Sequence, residues 1–129
     1  MMNEKYHAEE MIEAFSQGRY EYVLEHALPA AEAGNADAQC MIGCLYQLAT
    51  GVPQDGSEAV RWYRKAADQD HPIAWCNLGT IHVSGLLGAP DEGEGRRCYL
   101  RAYQLGGPTN ATYLPIDVRE PGTPEAEKR

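Results

Sequence analysis

The side chains best equipped for chemistry are four cysteines, Cys40, Cys44, Cys76 and Cys98, and four histidines, His7, His26, His71 and His82. Thiolates and imidazoles ligate zinc, and a thiolate beside an imidazole is a nucleophile. Cys40 and Cys44 lie one helical turn apart, so with Cys76 and a histidine they would supply a zinc set. No C-x-x-C knuckle is present. Regular helices would also hold Cys40 and Cys76 about 10 Å apart, too far to share an ion without distortion. Packing by free thiols is the expectation, with no metal and no cofactor. The histidines are scattered, and no Ser–His–Asp or Cys–His spacing assigns a catalytic residue. Glu9, Glu10, Glu13, Glu21 and Glu25 read as solvated helix faces. Gly85, Gly88, Gly93 and Gly95 lack the Lys-Ser/Thr of a phosphate loop.

The net charge of −8 excludes a nucleic-acid surface, which needs a basic stripe to displace counterions. It favours a neutral or basic partner. No apolar run approaches the roughly 20 residues that span a bilayer. The amino-terminal stretch reads as neither a signal nor a transit peptide, so a reducing cytoplasm and no membrane partner are expected.

What must position these residues is an internal repeat. Offset by 36 residues, Ala38, Cys40 and Gly43 fall on Ala74, Cys76 and Gly79, and Asp55, Glu58, Arg61, Tyr63 and Ala66 fall on Asp91, Glu94, Arg97, Tyr99 and Ala102. Each unit reads as two helices. Ala38, Ile42, Leu45, Tyr46 and Ala49 form one apolar face of a helix from about Asn35 to Ala49. Gly43 and Gly79 sit inside such helices, where glycine costs roughly 1 kcal/mol against alanine; close approach of a neighbouring backbone would justify it. Asp55 with Glu58, and Asp91 with Glu94, predict capping boxes.

An amino-terminal pair precedes these units. It comprises Glu4 to Ser16, with Ala8, Met11, Ile12 and Phe15 inward, and Arg19 to Ala33, kinked or shortened by Pro29. The expected organisation is a helical repeat domain over 1–107, with pairs at about 4–33, 35–69 and 72–106, then a cap segment and mobile tail over 108–129. In that last segment Tyr113, Leu114 and Ile116 are candidates to fold back on the final helix.

The segment Ala31 to Gln39, then Ile42-Gly43, Leu45-Tyr46, Gly51-Val52-Pro53-Gln54-Asp55, Ala59 and Trp62 to Ala67, closely resembles the Sel-one-like repeat, a tetratricopeptide variant. The second unit departs from that pattern: His82 stands where it has Tyr, Gly95 where it has Ala and Cys98 where it has Trp. The resemblance implies an all-α, right-handed α-solenoid of about three antiparallel helix pairs. It also implies a non-enzymatic adaptor that holds a protein or peptide on its concave face, lined by the first helix of each pair. On that basis Asp37, Cys40, Cys44, Gln47 and Leu48 line the face in one unit, and Ile73, Cys76, Thr80 and Val83 in the next. Trp75, which replaces a Gln of the pattern, is the candidate aromatic anchor. A homo-oligomeric structural or regulatory subunit is the alternative, because a short solenoid exposes both ends. A cysteine-dependent hydrolase is the third reading.

Overall fold

The computed structural model describes residues 6–107. The expected helix start at Glu4, the Tyr113–Leu114–Ile116 cap and the tail lie outside the described residues. Among the described residues there are six α-helices and no strand: α1 (Ala8–Ser16), α2 (Tyr20–Glu32), α3 (Ala36–Leu48), α4 (Gly56–Ala67), α5 (Pro72–Ser84) and α6 (Glu92–Gln104). The chain divides into two compact units between Gln69 and Asp70.

In the first unit α1 packs on α2, α2 on α3 and α3 on α4. The core is built on Met11, Ala14, Val23, Ala27, Ala31, Ala38, Ile42, Leu45 and Trp62. Val23, Ile42 and Leu45 are fully buried, each contributing about 1.5–3 kcal/mol. Ile12 departs from the expected inward face: it is 59% exposed, and Ala14 is buried in its place. The turn after α1 closes back on this helix, Arg19 N donating to the Ala14 carbonyl at 2.9 Å, so a small residue sits where the two helices meet. Pro29 does not end α2, which runs to Glu32; the Pro29 carbonyl still accepts from Ala33 N at 3.0 Å. Only its missing N–H is lost, and that leaves the Glu25 carbonyl on an exposed stretch where water can serve.

Buried Gln39 on α3 ties α2 to the turn that follows α4. Its Nε2 donates to the Ala31 carbonyl at 3.1 Å, and its Oε1 accepts from Gln69 Nε2 at 3.0 Å. Gln69 Nε2 also donates to the Gly34 carbonyl at 3.0 Å. A buried amide is tolerated because its oxygen and its nitrogen both find partners.

The second unit is the α5–α6 hairpin. Its core includes Cys76, Tyr99 and Ala102, with Trp75, Val83 and Leu100 packed against them. The two repeated hairpins, α3–α4 and α5–α6, share their backbone chemistry. Asn35 Oδ1 caps Ala38 N at 2.9 Å, and His71 Nδ1 caps Ala74 N at 3.2 Å, with Pro72 opening the helix. Asp55 Oδ1 caps Glu58 N and Asp91 Oδ1 caps Glu94 N, each at 3.0 Å.

The reciprocal half of the expected capping boxes is not made. Asp55 N and Asp91 N donate instead to the carbonyls of Tyr46 and His82, at 3.1 and 2.8 Å. Glu58 and Glu94 turn to Arg61 and Arg97. An ion pair one turn on satisfies the carboxylate, while the preceding helix already offers the cap N–H an acceptor.

The glycines inside α3 and α5 have a different neighbour from the one expected. A Cβ on Gly43 would lie 2.7 Å from the Tyr63 ring, so a side chain, not backbone, fills that space. At Gly79 the Tyr99 ring stands equally close, and the Gly95 carbonyl oxygen would be 3.1 Å away. Backbone approach of the expected kind is therefore seen at Gly79.

Candidate functional site

The residues expected to face a partner sort by depth. On α3, Asp37 is exposed and Leu48 is 52% exposed, whereas Cys40 is buried. Burial pushes the hydroxyl of Tyr6 well above its usual range, with the charges of Asp37 and Cys40 adding to the effect. Cys44 and Gln47 are half-buried. Gln47 Oε1 accepts from the Tyr63 hydroxyl at 2.6 Å. Burial raises the Cys44 thiol, and a hydrogen bond with Tyr63 partly opposes it. Raised thiols stay protonated and are poor nucleophiles.

On α5, Ile73 is 49% exposed and Cys76 is buried, its thiol likewise pushed up by burial. Thr80 Oγ1 donates to the Cys76 carbonyl at 3.3 Å and shares a 3.0 Å hydrogen bond with the Tyr99 hydroxyl. Val83 packs on Gly95 and into the Cys76–Tyr99 cluster. Trp75 is half-buried against the same cluster, and its Nε1 is buried without a partner. Asp37, Leu48 and Ile73 are thus the side chains of this set most open to solvent. Gln47 and Thr80 serve the hydroxyls of two tyrosines. That shared duty was hidden because the 36-residue offset places Gln47 on Val83 and Cys44 on Thr80, not Gln47 on Thr80.

A second constellation lies where the sequence reading expected no ligand set. His82 at the end of α5 and Glu94 and Cys98 on α6 bring one ligand atom each to within 4.8 Å of one another. Glu94 and Cys98 are four residues apart and share a helix face. Cys98 Sγ lies 3.9 Å from Glu94 Oε2, and His82 Nε2 is buried without a hydrogen-bond partner. Arg97 Nε and Nη2 both donate to Glu94 Oε1, at 3.1 and 2.7 Å. The signal available in the sequence was the pair of departures from the repeat pattern at His82 and Cys98.

No helix among the described residues is long and apolar enough to cross a membrane. The Sel1 repeat family model matches residues 36–71 and 72–107. A solved structure, the Sel1 repeat protein from Oxalobacter formigenes, is similar over 83% of this chain at 29% sequence identity and a TM-score of 0.69. The chain spans 43% of that protein's length. The two matched segments are the α3–α4 and α5–α6 hairpins, which share caps, glycine–tyrosine contacts and register; the chain belongs to the Sel1 repeat family.

Proposed function

We propose that this chain is a protein-interaction module that binds a peptide or helix of a partner protein through the first helices of its repeats, in a cytoplasmic setting and without catalysis. The observation that carries this reading is the exposure of Leu48 and Ile73, large apolar side chains on the first helices of two Sel1 repeats. Asp37 on α3 adds an exposed negative charge that favours a basic ligand over an acidic one. The half-buried Trp75 is the aromatic anchor we assign, its ring edge offering apolar area to a ligand. The net charge of −8 supports a protein partner over a nucleic acid.

The test is affinity capture with the full chain, comparing wild type with a Leu48→Ser/Ile73→Ser double variant. Both side chains are exposed, so helix content should persist while a partner captured by wild type is lost. Retention of that partner would move the binding surface elsewhere. Gln47 and Thr80 are unsuitable probes, because removing either takes a hydrogen bond from a tyrosine hydroxyl and so perturbs the packing. A second reading, self-association, is favoured by Ile12, 59% exposed on α1. Light scattering across concentrations tests it, and a strictly monomeric chain removes it.

A further inference from the structure

We propose that α5 and α6 bind a divalent, borderline-soft transition metal, Zn2+ foremost, through the imidazole of His82, the carboxylate of Glu94 and the thiolate of Cys98. One imidazole, one carboxylate and one thiolate is a donor set that suits zinc. One ligand atom from each residue lies within 4.8 Å of the other two. Around a tetrahedral zinc they would stand roughly 3.3–3.8 Å apart, so the side chains need close by only about an ångström. His82 Nε2 is buried and has no other partner, a state that bound metal relieves.

Comparison with the preceding repeat shows what is particular to this spot. The positions equivalent to His82, Gly95 and Cys98 hold Tyr46, Ala59 and Trp62. Trp62 is buried there, with Arg61 4.6 Å over its ring. In the second repeat both aromatics give way to metal-ligand types, and the alanine to a glycine. A Cβ at Gly95 would collide with Val83 Cγ1 and lie 3.2 Å from the Gly79 carbonyl oxygen. The glycine therefore lets α6 approach α5 closely enough for His82 to reach the Glu94–Cys98 face. The bond from Asp91 N to the His82 carbonyl, 2.8 Å, fixes the backbone of His82 against the start of α6.

The carboxylates differ as well. Glu58 grips Arg61 with both oxygens, Oε2 to Nε at 3.1 Å and Oε1 to Nη2 at 3.0 Å. Glu94 gives Oε1 alone to Arg97 and turns Oε2 toward Cys98. Arg97 is thus a positioning residue that orients the ligand carboxylate from outside the metal shell. On binding, the Cys98 thiol releases its proton to solvent, His82 binds as neutral imidazole, and thiolate and carboxylate balance the charge of the dication. A water completes the tetrahedron. Cys98 is 1% exposed, which shuts it off from a substrate and favours a ligand role over a nucleophilic one.

The experiment uses the full chain, reduced with a phosphine and freed of chelators, titrated with ZnCl2 by calorimetry and with CoCl2 by absorption. One ion per chain is expected, with a thiolate-to-cobalt charge-transfer band and the intense visible bands of tetrahedral cobalt. His82→Tyr, which restores the residue of the preceding repeat, and Glu94→Gln should each weaken zinc at least ~10-fold. Cys98→Ala should abolish the charge-transfer band, while Cys40→Ala and Cys76→Ala keep it; circular dichroism confirms that each variant is helical. Should a variant fail to fold, the rate of Cys98 alkylation in the wild-type chain with zinc against that of the metal-free chain, read by mass spectrometry, decides the matter: zinc should slow it beyond what burial alone gives. No zinc binding, a Cys98 alkylation rate that zinc leaves unchanged, or a cobalt band that survives in Cys98→Ala would overturn the proposal.

Discussion

The α3–α4 and α5–α6 hairpins are built on one backbone plan and differ in what fills their seams. Both cap their helices with Asn or His and then Asp, and both seat a tyrosine ring over a helical glycine. In the first, Gln39 and Gln69 form a polar tie; at the equivalent positions the second has Trp75 and Leu105, and the indole N–H is left without a partner. In the first, the tyrosine hydroxyl is held by Gln47; in the second, by Thr80 from one turn earlier in its helix. The lesson is that a repeat preserves the groups that terminate and align helices. Side chains between those anchors are replaced in sets, because exchanging one member alone would strand a polar atom or open a void.

The severest way to break this comparison is to remove the tyrosines. Tyr63→Ala and Tyr99→Ala should each cost about 3–5 kcal/mol, measured by urea unfolding; a large inequality would mean that the two rings do not play the same part. Next come the glycines beneath them. Gly79→Ala should destabilise by about 1–3 kcal/mol, because the new methyl meets both the Tyr99 ring and the Gly95 carbonyl. Gly43→Ala should cost a similar amount, since its methyl would stand as close to the Tyr63 ring; helix propensity returns roughly 1 kcal/mol at both positions.

The helix ends give a smaller contrast of opposite sign. Ala49 closes α3 in the left-handed region with φ of 58°, where Gly85 closes α5 with φ of 79°. Ala49→Gly should therefore stabilise by about 0.5–1 kcal/mol, read as a raised thermal midpoint, and Gly85→Ala should do the reverse.

Smallest is the acid limb. The Arg61 hydrogen bond holds the Glu58 carboxyl below its ordinary value of 4.5. Its folded pKa is the lower one, so its contribution is present above that ordinary value and fades as pH falls through the depressed one. The pair is exposed and screened, so the effect is at most about 0.3 kcal/mol. Glu58→Gln should erase it, as seen in the pH dependence of the melting temperature below pH 5 and its weakening in salt.

Much of the fold was legible because caps, helical apolar spacing and the 36-residue offset are local or periodic signals. The α3 helix, its Ala38–Ile42–Leu45 core and the Asp55 and Asp91 caps follow from them. Ile12 did not follow, because α1 is short and its buried face is chosen by the turn that folds back on Ala14. Gln39 was invisible as a buried hub, since its partners include Ala31 and Gln69, from other parts of the chain. The site was less legible. Glu94 and Cys98 share a helix face by spacing alone, but their meeting with His82 depends on how closely α6 approaches α5, which no residue periodicity encodes.

The hydrogen bonds from Asp55 N to the Tyr46 carbonyl and from Asp91 N to the His82 carbonyl have an engineering consequence. Each staples the mouth of a loop shut, so the hairpin's geometry is settled at the staple and not along the intervening residues. Foreign sequence spliced in at exposed Gly88–Ala89 should then hang from the hairpin as a pendant, since doubling a loop's length adds only about 0.6 kcal/mol of closure entropy. The Sel1 hairpin is in this sense a bracket on which an epitope or tag can be mounted without retuning the helices.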